Sequence, residues 1–406
     1  MNFLTMKFGG TSVGDVTRIK AVADTIHSEL RPNRKIIVVV SAMSNQTNKL
    51  IELAKDLGVE GTIDPEYDAL VSTGEDVSAS LLAIALKKLG IKARSWRGWQ
   101  VPITTDSFFS NAKIKSVNTK KLIQSFKDDL EVAVISGFQG IEENKRITTL
   151  GRGGSDTSAV AIAASIGSER CDIYTDVSGI YTTDPRIKRK AVKIKKISFE
   201  EMLEMASLGA NVLQTRAVEM AMRSKTPIQV LNSFSNEEGT LVCDEEEIME
   251  KNIISGIAFQ RNEARITLSN IEDKPGVAAK IFGPLAEAGI NVDMIVQSST
   301  ETGNTDLTFS CSAEEVEQAK EAIGKAKTLT YKNIIVNNEV AKVSIVGIGM
   351  KTHAGVAQKM FETLSDENIN IHVISTSEIK VSVLIERKYL ELAVRSLHDS
   401  FELEKI

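Results

Sequence analysis

The chain has 406 residues, 49 basic against 54 acidic side chains for a net charge of −5, and is 42% hydrophobic and 5% aromatic. At ~100–200 residues per domain this length predicts two or three domains, and the apolar content offsets the entropy of folding, which excludes disorder as the main state. Without a strongly basic balance to neutralise phosphates a nucleic-acid partner is disfavoured, and the cluster Lys188, Arg189, Lys190, Lys193, Lys195 and Lys196 reads as a solvated face.

In chain order, Met6-Lys7-Phe8 predicts a short strand running into Gly9-Gly10-Thr11-Ser12, and residues 16–30 predict a helix. Residues 35–40 form a continuous Ile/Val run of strand length, as a strand buried on both faces requires. At five residues its apolar core (36–40) is far short of the ~20 needed to cross a bilayer, so no membrane partner is expected. The N-terminus has no basic stretch followed by an apolar segment, which argues against a signal peptide. Residues 78–88 predict an amphipathic helix and 131–135 a second β-rich run. Strands separated by helices of this length imply an α/β domain with a mostly parallel sheet. Residues 236–252 are acidic and polar and read as a domain edge and linker.

Beyond the linker the sequence repeats. Gly276-Val277-Ala278-Ala279-Lys280-Ile281-Phe282 matches Gly355-Val356-Ala357-Gln358-Lys359-Met360-Phe361, and the match runs without a gap through Gly289-Ile290-Asn291-Val292 and Asn368-Ile369-Asn370-Ile371. Each copy reads strand, Gly-containing turn, helix, short loop, strand, strand, as two small α+β units that pair. Cys171, Cys243 and Cys311 are odd in number, far apart and without a CxxC, so neither a disulfide framework nor a zinc site follows. His27, His353, His372 and His398 are scattered and do not suggest a metal site. A reducing, cytoplasmic setting is expected.

There is no GxxxxGK[ST], no HRD…DFG set and no GxGxxG. Three other elements fit phosphate handling. Lys7 beside Gly9 and Gly10 sets a movable charge against backbone amides that can approach an anion closely. Gly151-Arg152-Gly153-Gly154-Ser155-Asp156 opens an apolar helix, whose unpaired amides favour an anion and whose Arg152 can grip a carboxylate or phosphate through two bonds. Asp156 at such a position is either a first-turn acid or a group that orients a lysine or a metal-bound nucleotide. Residues 174–186 join a strand to a turn-rich loop carrying Tyr181, Asp184 and Arg186.

Together these elements resemble the aspartokinase family of the amino-acid kinase superfamily over nearly the whole chain. The further matches are Val71-Ser72-Thr73-Gly74-Glu75, Gly137-Phe138-Gln139-Gly140, Asp273-Lys274-Pro275-Gly276 and Ile374-Ser375-Thr376-Ser377-Glu378-Ile379-Lys380. Ser178 stands where the family commonly has Asp, and Ala354 where it commonly has Pro. The resemblance implies an amino-acid kinase fold over residues 1–245, a linker over 246–261 and two ACT modules over 262–340 and 341–406. It implies MgATP-dependent phosphorylation of the L-aspartate side chain to 4-phospho-L-aspartate, the first step of lysine, threonine and methionine biosynthesis, with no metal bound directly by the protein.

By the same resemblance Lys7 neutralises charge on the moving phosphoryl group and serves the nucleotide, and Asp156 holds Lys7 in place. Ser41, Thr47, Glu75, Arg152, Gly153, Gly154 and Ser155 form the amino-acid site, with Arg152 on a carboxylate and Glu75 on the ammonium. Gly9, Gly10, Thr175, Asp176, Tyr181, Asp184 and Arg186 serve the nucleotide. An amino-acid effector, lysine or threonine or both, would be held by Asp273, Gly276, Asn291, Asp293 and Gln297 with Met350, Val356, Asn370 and Ile371. Oligomers through ACT pairing are implied, and Met249 is a candidate internal start for a shorter regulatory subunit. The rival readings are an amino-acid kinase for glutamate, acetylglutamate or UMP, and an inactive amino-acid sensor of the same fold.

Overall fold

The computed structural model describes residues 1–59, 64–209, 212–248, 252–299, 303–325 and 330–406, so Met249 lies outside the described residues. It divides into two compact units. The first comprises residues 1–180, 193–206 and 211–250, and the second 181–192, 207–210 and 251–406. Residues 181–192 and 207–209, which fall inside the domain expected over 1–245, group with the second unit.

The first unit is built on an eight-stranded sheet in the order Lys196–Ser198, Thr240–Cys243, Ile228–Asn232, Cys171–Thr175, Asn2–Phe8, Arg34–Val40, Val132–Ser136, Ala93–Trp96. Every neighbouring pair is parallel except Ile228–Asn232 with Thr240–Cys243. The predicted run at 36–40 lies in an interior strand of this sheet, with all five side chains buried. Side chains alternate faces along a strand. Leu4, Met6, Phe8, Ile36, Val38 and Val40 accordingly share one core with Ile19, Val22 and Ile26 of helix Val16–Glu29 and Leu82 and Leu86 of helix Thr73–Lys88. Helix Gly154–Ile166 packs on the strands Asn2–Phe8 and Arg34–Val40 and is buried nearly all round, which is why its sequence is apolar without a polar stripe.

The helix expected at 78–88 begins earlier, at Thr73, because Gly74 lets its first turn approach Ala42: a Cβ there would stand 2.8 Å from the Ala42 Cβ. Among the described residues, Pro65–Lys88 is long and apolar enough to cross a membrane, which the five-residue run at 36–40 did not reveal. Half of that stretch is buried inside the protein.

The second unit carries a six-stranded antiparallel sheet in the order Ile295–Ser299, Asn304–Ser312, Gly256–Glu272, Asn333–Val346, Lys380–Glu386, Ile371–Thr376. Two long strands run through both modules. Residues 256–260 pair with 342–346, and residues 263–269 pair with 333–340 across register shifts at Glu263. Ile257 belongs to the core of the second module, with Val343, Ile345, Met360 and Leu397. Ala264, Ile266 and Leu268 belong to the core of the first, with Ile281, Leu285 and Phe309. The expected linker at 246–261 is thus corrected from Gly256 onward, where the polar acidic run gives way to Gly256-Ile257-Ala258-Phe259 and the chain becomes strand. The repeat is a repeat in space as well: Gly276 and Gly355 both have φ +90 and cap the helices Val277–Glu287 and Val356–Asp366.

Candidate active site

Ligand sites of open α/β sheets lie beyond the carboxyl ends of the strands. Here those ends are tied together: Ser41 N donates to Phe8 O at 3.1 Å, Gly9 N to Tyr174 O at 3.3 Å and Gly137 N to Val40 O at 3.0 Å. Above them opens a cavity of about 500 Å³. It is lined by Lys7, Gly10, Ser41, Thr47, Glu75 and Gly151 to Asp156, so the expected amino-acid site and both expected catalytic residues converge.

At its base Lys7 Nζ stands 2.7 Å from Asp156 Oδ1, a close ion pair between side chains 11% and 9% exposed. Asp156 sits in the first turn of helix Gly154–Ile166, where a negative charge is favoured by the free amides. Glycines shape the walls. Gly153 has φ +70, and a Cβ on it would lie 1.7 Å from Gln214 Cγ; a Cβ on Gly10 would lie 2.8 Å from Ala42 O. Gly9 does not line the cavity, but its Cα sits beside the lysine, where a Cβ would be 3.5 Å from Lys7 Nζ.

Glu75 is 3% exposed. Its Oε1 accepts from Ala42 N at 3.1 Å, whereas its Oε2 is buried without a partner. Burial pushes its carboxyl up to about 8, against the opposing pull of the Ala42 amide. The next residue, Asp76, is fully engaged: Ser136 Oγ donates to it at 2.7 Å, Arg97 Nε at 3.1 Å and Gln139 Nε2 at 3.2 Å. Glu75 therefore lines the cavity and keeps one buried, unpartnered acceptor, whereas Asp76 holds the sheet end. Arg152 is exposed and makes no hydrogen bond or ion pair among the described residues.

The expected nucleotide residues are less gathered. Thr175 ends the strand Cys171–Thr175 and donates from Oγ1 to Asp176 Oδ1 at 3.2 Å; neither residue lines the cavity. Tyr181, Asp184 and Arg186 fall in the second unit. There Arg186 Nη2 is 2.7 Å from Asp184 Oδ2, and that guanidinium holds the Asp184 carboxyl below its usual range.

The expected effector residues are dispersed over the second unit. Gln297 Nε2 donates to Asp273 Oδ1 at 3.4 Å. Asp293 pairs with Lys342. Gly276 caps its helix, Asn291 and Asn370 are exposed, and Met350 packs on the core of the second module. Val356 lines a cavity of about 530 Å³ and Ile371 another of about 350 Å³, so these two are not neighbours in one pocket. Ala354 lines the cavity with Val356, and Ser178 Oγ accepts from Asn232 Nδ2 at 3.0 Å.

Sequence reasoning missed Asn45, Asn48 and Phe138 of the cavity wall. The polar run Ser44-Asn45-Gln46-Thr47-Asn48, separated by three residues from the buried strand end at Val40, was the available signal for the first two. Asn45 even takes the left-handed φ of +61 that Asn tolerates better than most residues.

Residues 2–232 match the amino acid kinase family, and residues 266–328 and 343–401 each match the ACT domain. The chain is 52% identical to an aspartate kinase of Pseudomonas fluorescens, covering 100% of this chain and 98% of that protein. It is 47% identical to an aspartokinase of Helicobacter pylori, covering 99% and 100%. Among solved structures it is similar to aspartokinase III of Escherichia coli in complex with aspartate and ADP, with 27% identity, a TM-score of 0.83 and coverage of 98% of this chain and 99% of that one. The same enzyme in complex with lysine and aspartate gives a TM-score of 0.77 at 27% identity, with the same coverage. On full-length likeness in sequence, domain order and fold, the chain belongs to the aspartate kinase family.

Proposed function

We propose that the cavity between Lys7 and Glu75 transfers the γ-phosphoryl group of ATP to the side-chain carboxylate of L-aspartate. One observation carries this reading. A buried lysine–carboxylate pair, a glycine-walled helix start, a free arginine and a buried carboxylate with an open oxygen line one cavity. That set matches the substrate group by group. Glu75 Oε2 takes the α-ammonium, Arg152 takes the α-carboxylate through paired bonds, and the side-chain carboxylate is left facing Lys7.

A carboxylate of pKa ~3.9 is ionised at neutral pH, so the reaction needs no general base. One of its oxygens attacks the γ-phosphorus, the bond from that phosphorus to the β,γ-bridging oxygen breaks, and ADP departs with the electron pair, leaving 4-phospho-L-aspartate. Catalysis then rests on alignment and on charge aimed at the transferring group. Lys7 supplies the charge, held by Asp156, and the amides of Gly10 and Ser155 add fixed dipoles. Mg²⁺ bound to the nucleotide would further neutralise the phosphates. Asp156, beside Lys7 in the cavity wall, offers the kind of oxygen donor such an ion takes. Thr175, Asp176, Tyr181, Asp184 and Arg186 would hold the nucleotide.

The ACT pair would bind an end-product amino acid and couple it to this site by ~1–3 kcal/mol. The complex of the E. coli enzyme with lysine and aspartate supports lysine as one effector. Such an enzyme would open lysine, threonine and methionine biosynthesis and would pair through its ACT modules. A reducing compartment suits the three buried, unpaired thiols Cys171, Cys243 and Cys311. The test is ADP release together with a hydroxylamine-trapped acyl phosphate, over aspartate, glutamate, acetylglutamate and UMP. Aspartate-dependent formation of both products is expected; ATP turnover on another member of that panel, or on none, overturns the reading. Rates with lysine, threonine and both, at several aspartate concentrations, test the regulation: a flat response removes it.

A further inference from the structure

Behind the Gly-rich loop lies a side chain that no motif singles out. Arg216 is the second residue of helix Thr215–Ser224 and is half-buried. Its Nη1 donates to Leu150 O at 2.7 Å and to Asn111 Oδ1 at 3.0 Å, and its Nη2 donates to Ala112 O at 2.8 Å. These acceptors lie on two segments that are themselves joined, Ala112 N donating to Thr149 O at 2.9 Å. The Asn111 amide is wedged under Gly151, where φ is +75 and a Cβ would lie 2.9 Å from Asn111 Oδ1. One residue before the helix, Gln214 closes over Gly153. The root of the loop is pinned a second time by buried Asp68, which accepts from Thr149 N at 2.6 Å and from Ser110 N at 2.9 Å.

Arg152 itself has no such anchor. Its direction is set by the backbone of residues 150–153, and Arg216 grips that backbone at Leu150. We propose that Arg216 is a positioning residue for the amino-acid substrate, fixing Leu150 and Gly151 so that Arg152 and the first amides of helix Gly154–Ile166 face the cavity. It does not line the cavity and touches no reacting atom. The planar fork of arginine reaches three acceptors at fixed angles, which the single ammonium of lysine does not reproduce. The inference rests on the assignment of Arg152 to the substrate carboxylate.

The test compares Arg216→Ala, Arg216→Lys, Arg152→Ala and, as a control on the same helix, Arg223→Ala, whose exposed partner is Glu219. Displacing a binding group by about 1 Å costs up to ~100-fold, so Arg216→Ala should raise KM for aspartate ~10-fold or more, with KM for ATP within ~2-fold of the parent. Arg216→Lys should recover only part of this, and the stabilisation of the enzyme by aspartate in thermal melts should shrink in the same order. A merely structural arginine would lower the melting temperature and leave KM for aspartate unchanged in both variants, which overturns the inference, as do equal rises in both KM values. If Arg216→Ala does not fold, Arg216→Lys decides alone by the same criteria. An unchanged KM for aspartate in Arg152→Ala defeats the underlying site assignment instead.

Discussion

Lys7 and Asp156 meet at 2.7 Å, each with about a tenth of its side chain exposed, one arriving on a strand end and the other on a helix start. The carboxylate aims the lysine, but it also makes the pair mutually dependent: removing one partner of a buried pair costs ~3–5 kcal/mol. Lys7→Ala should lower kcat by ~10³ or more, as loss of an electrostatic stabiliser does, while nucleotide binding is only weakened. Rapid-quench turnover with calorimetric titration of ATP checks it. A kcat close to the parent's would remove Lys7 from its role.

Glu75 should make the enzyme sensitive to pH in a defined window. Its carboxyl is near 8 in the folded protein against 4.5 for the ordinary group. Between those values the folded state binds more protons than the unfolded one, so this contribution to stability falls as pH rises from about 4.5 to about 8. Glu75→Gln should flatten that slope in denaturant titrations. A bound ammonium favours the carboxylate, so aspartate binding at pH 7 should release close to one proton. Calorimetry in buffers of different ionisation heat measures the release, which Glu75→Gln should abolish. Equal release by both proteins would show that another group titrates.

Arg152→Ala should raise KM for aspartate by ~10–100-fold, the worth of a charge-assisted bidentate contact, and change KM for ATP little. Equal rises in both would place the guanidinium on a phosphate instead.

In the second unit Lys342 is buried between two acids, 3.7 Å from Glu263 and in contact with Asp293. Glu263 is buried like the lysine, and its Oε2 has no partner; Asp293 is about half exposed. Lys342→Met strips Glu263 of its cation and should destabilise the protein by ~3 kcal/mol. Asp293→Asn should cost under ~1 kcal/mol, because a half-exposed partner is screened by water. Urea unfolding of the two variants checks the ranking, and the reverse order would contradict it.

What was legible in the sequence was whatever a local pattern encodes. The Ile/Val run at 36–40 had to be a strand buried on both faces, and Lys7, Glu75, Arg152 and Asp156 sat in motifs of fixed spacing. The repeated Gly276 and Gly355 share one backbone conformation because the turn they make is the same. Features built from distant segments were not legible. The strand Gly256–Glu272 serves two modules by pairing with both halves of Asn333–Val346, and no composition change marks the passage at Glu263. The partition of residues 181–192 into the second unit depends on bonds such as Thr182 Oγ1 to His398 Nε2, 3.0 Å, between residues 216 apart. Arg216 was invisible for the same reason: its acceptors, the Asn111 side chain and the Ala112 and Leu150 carbonyls, lie 105, 104 and 66 residues away and carry no sequence signature.

The most direct test of the account is a crystal structure with aspartate and a non-hydrolysable ATP analogue bound. The account predicts the γ-phosphate within hydrogen-bond distance of Lys7 Nζ, the aspartate ammonium on Glu75 Oε2 and the α-carboxylate on Arg152. A nucleotide seated elsewhere, with Lys7 and Asp156 still facing only each other, would contradict it.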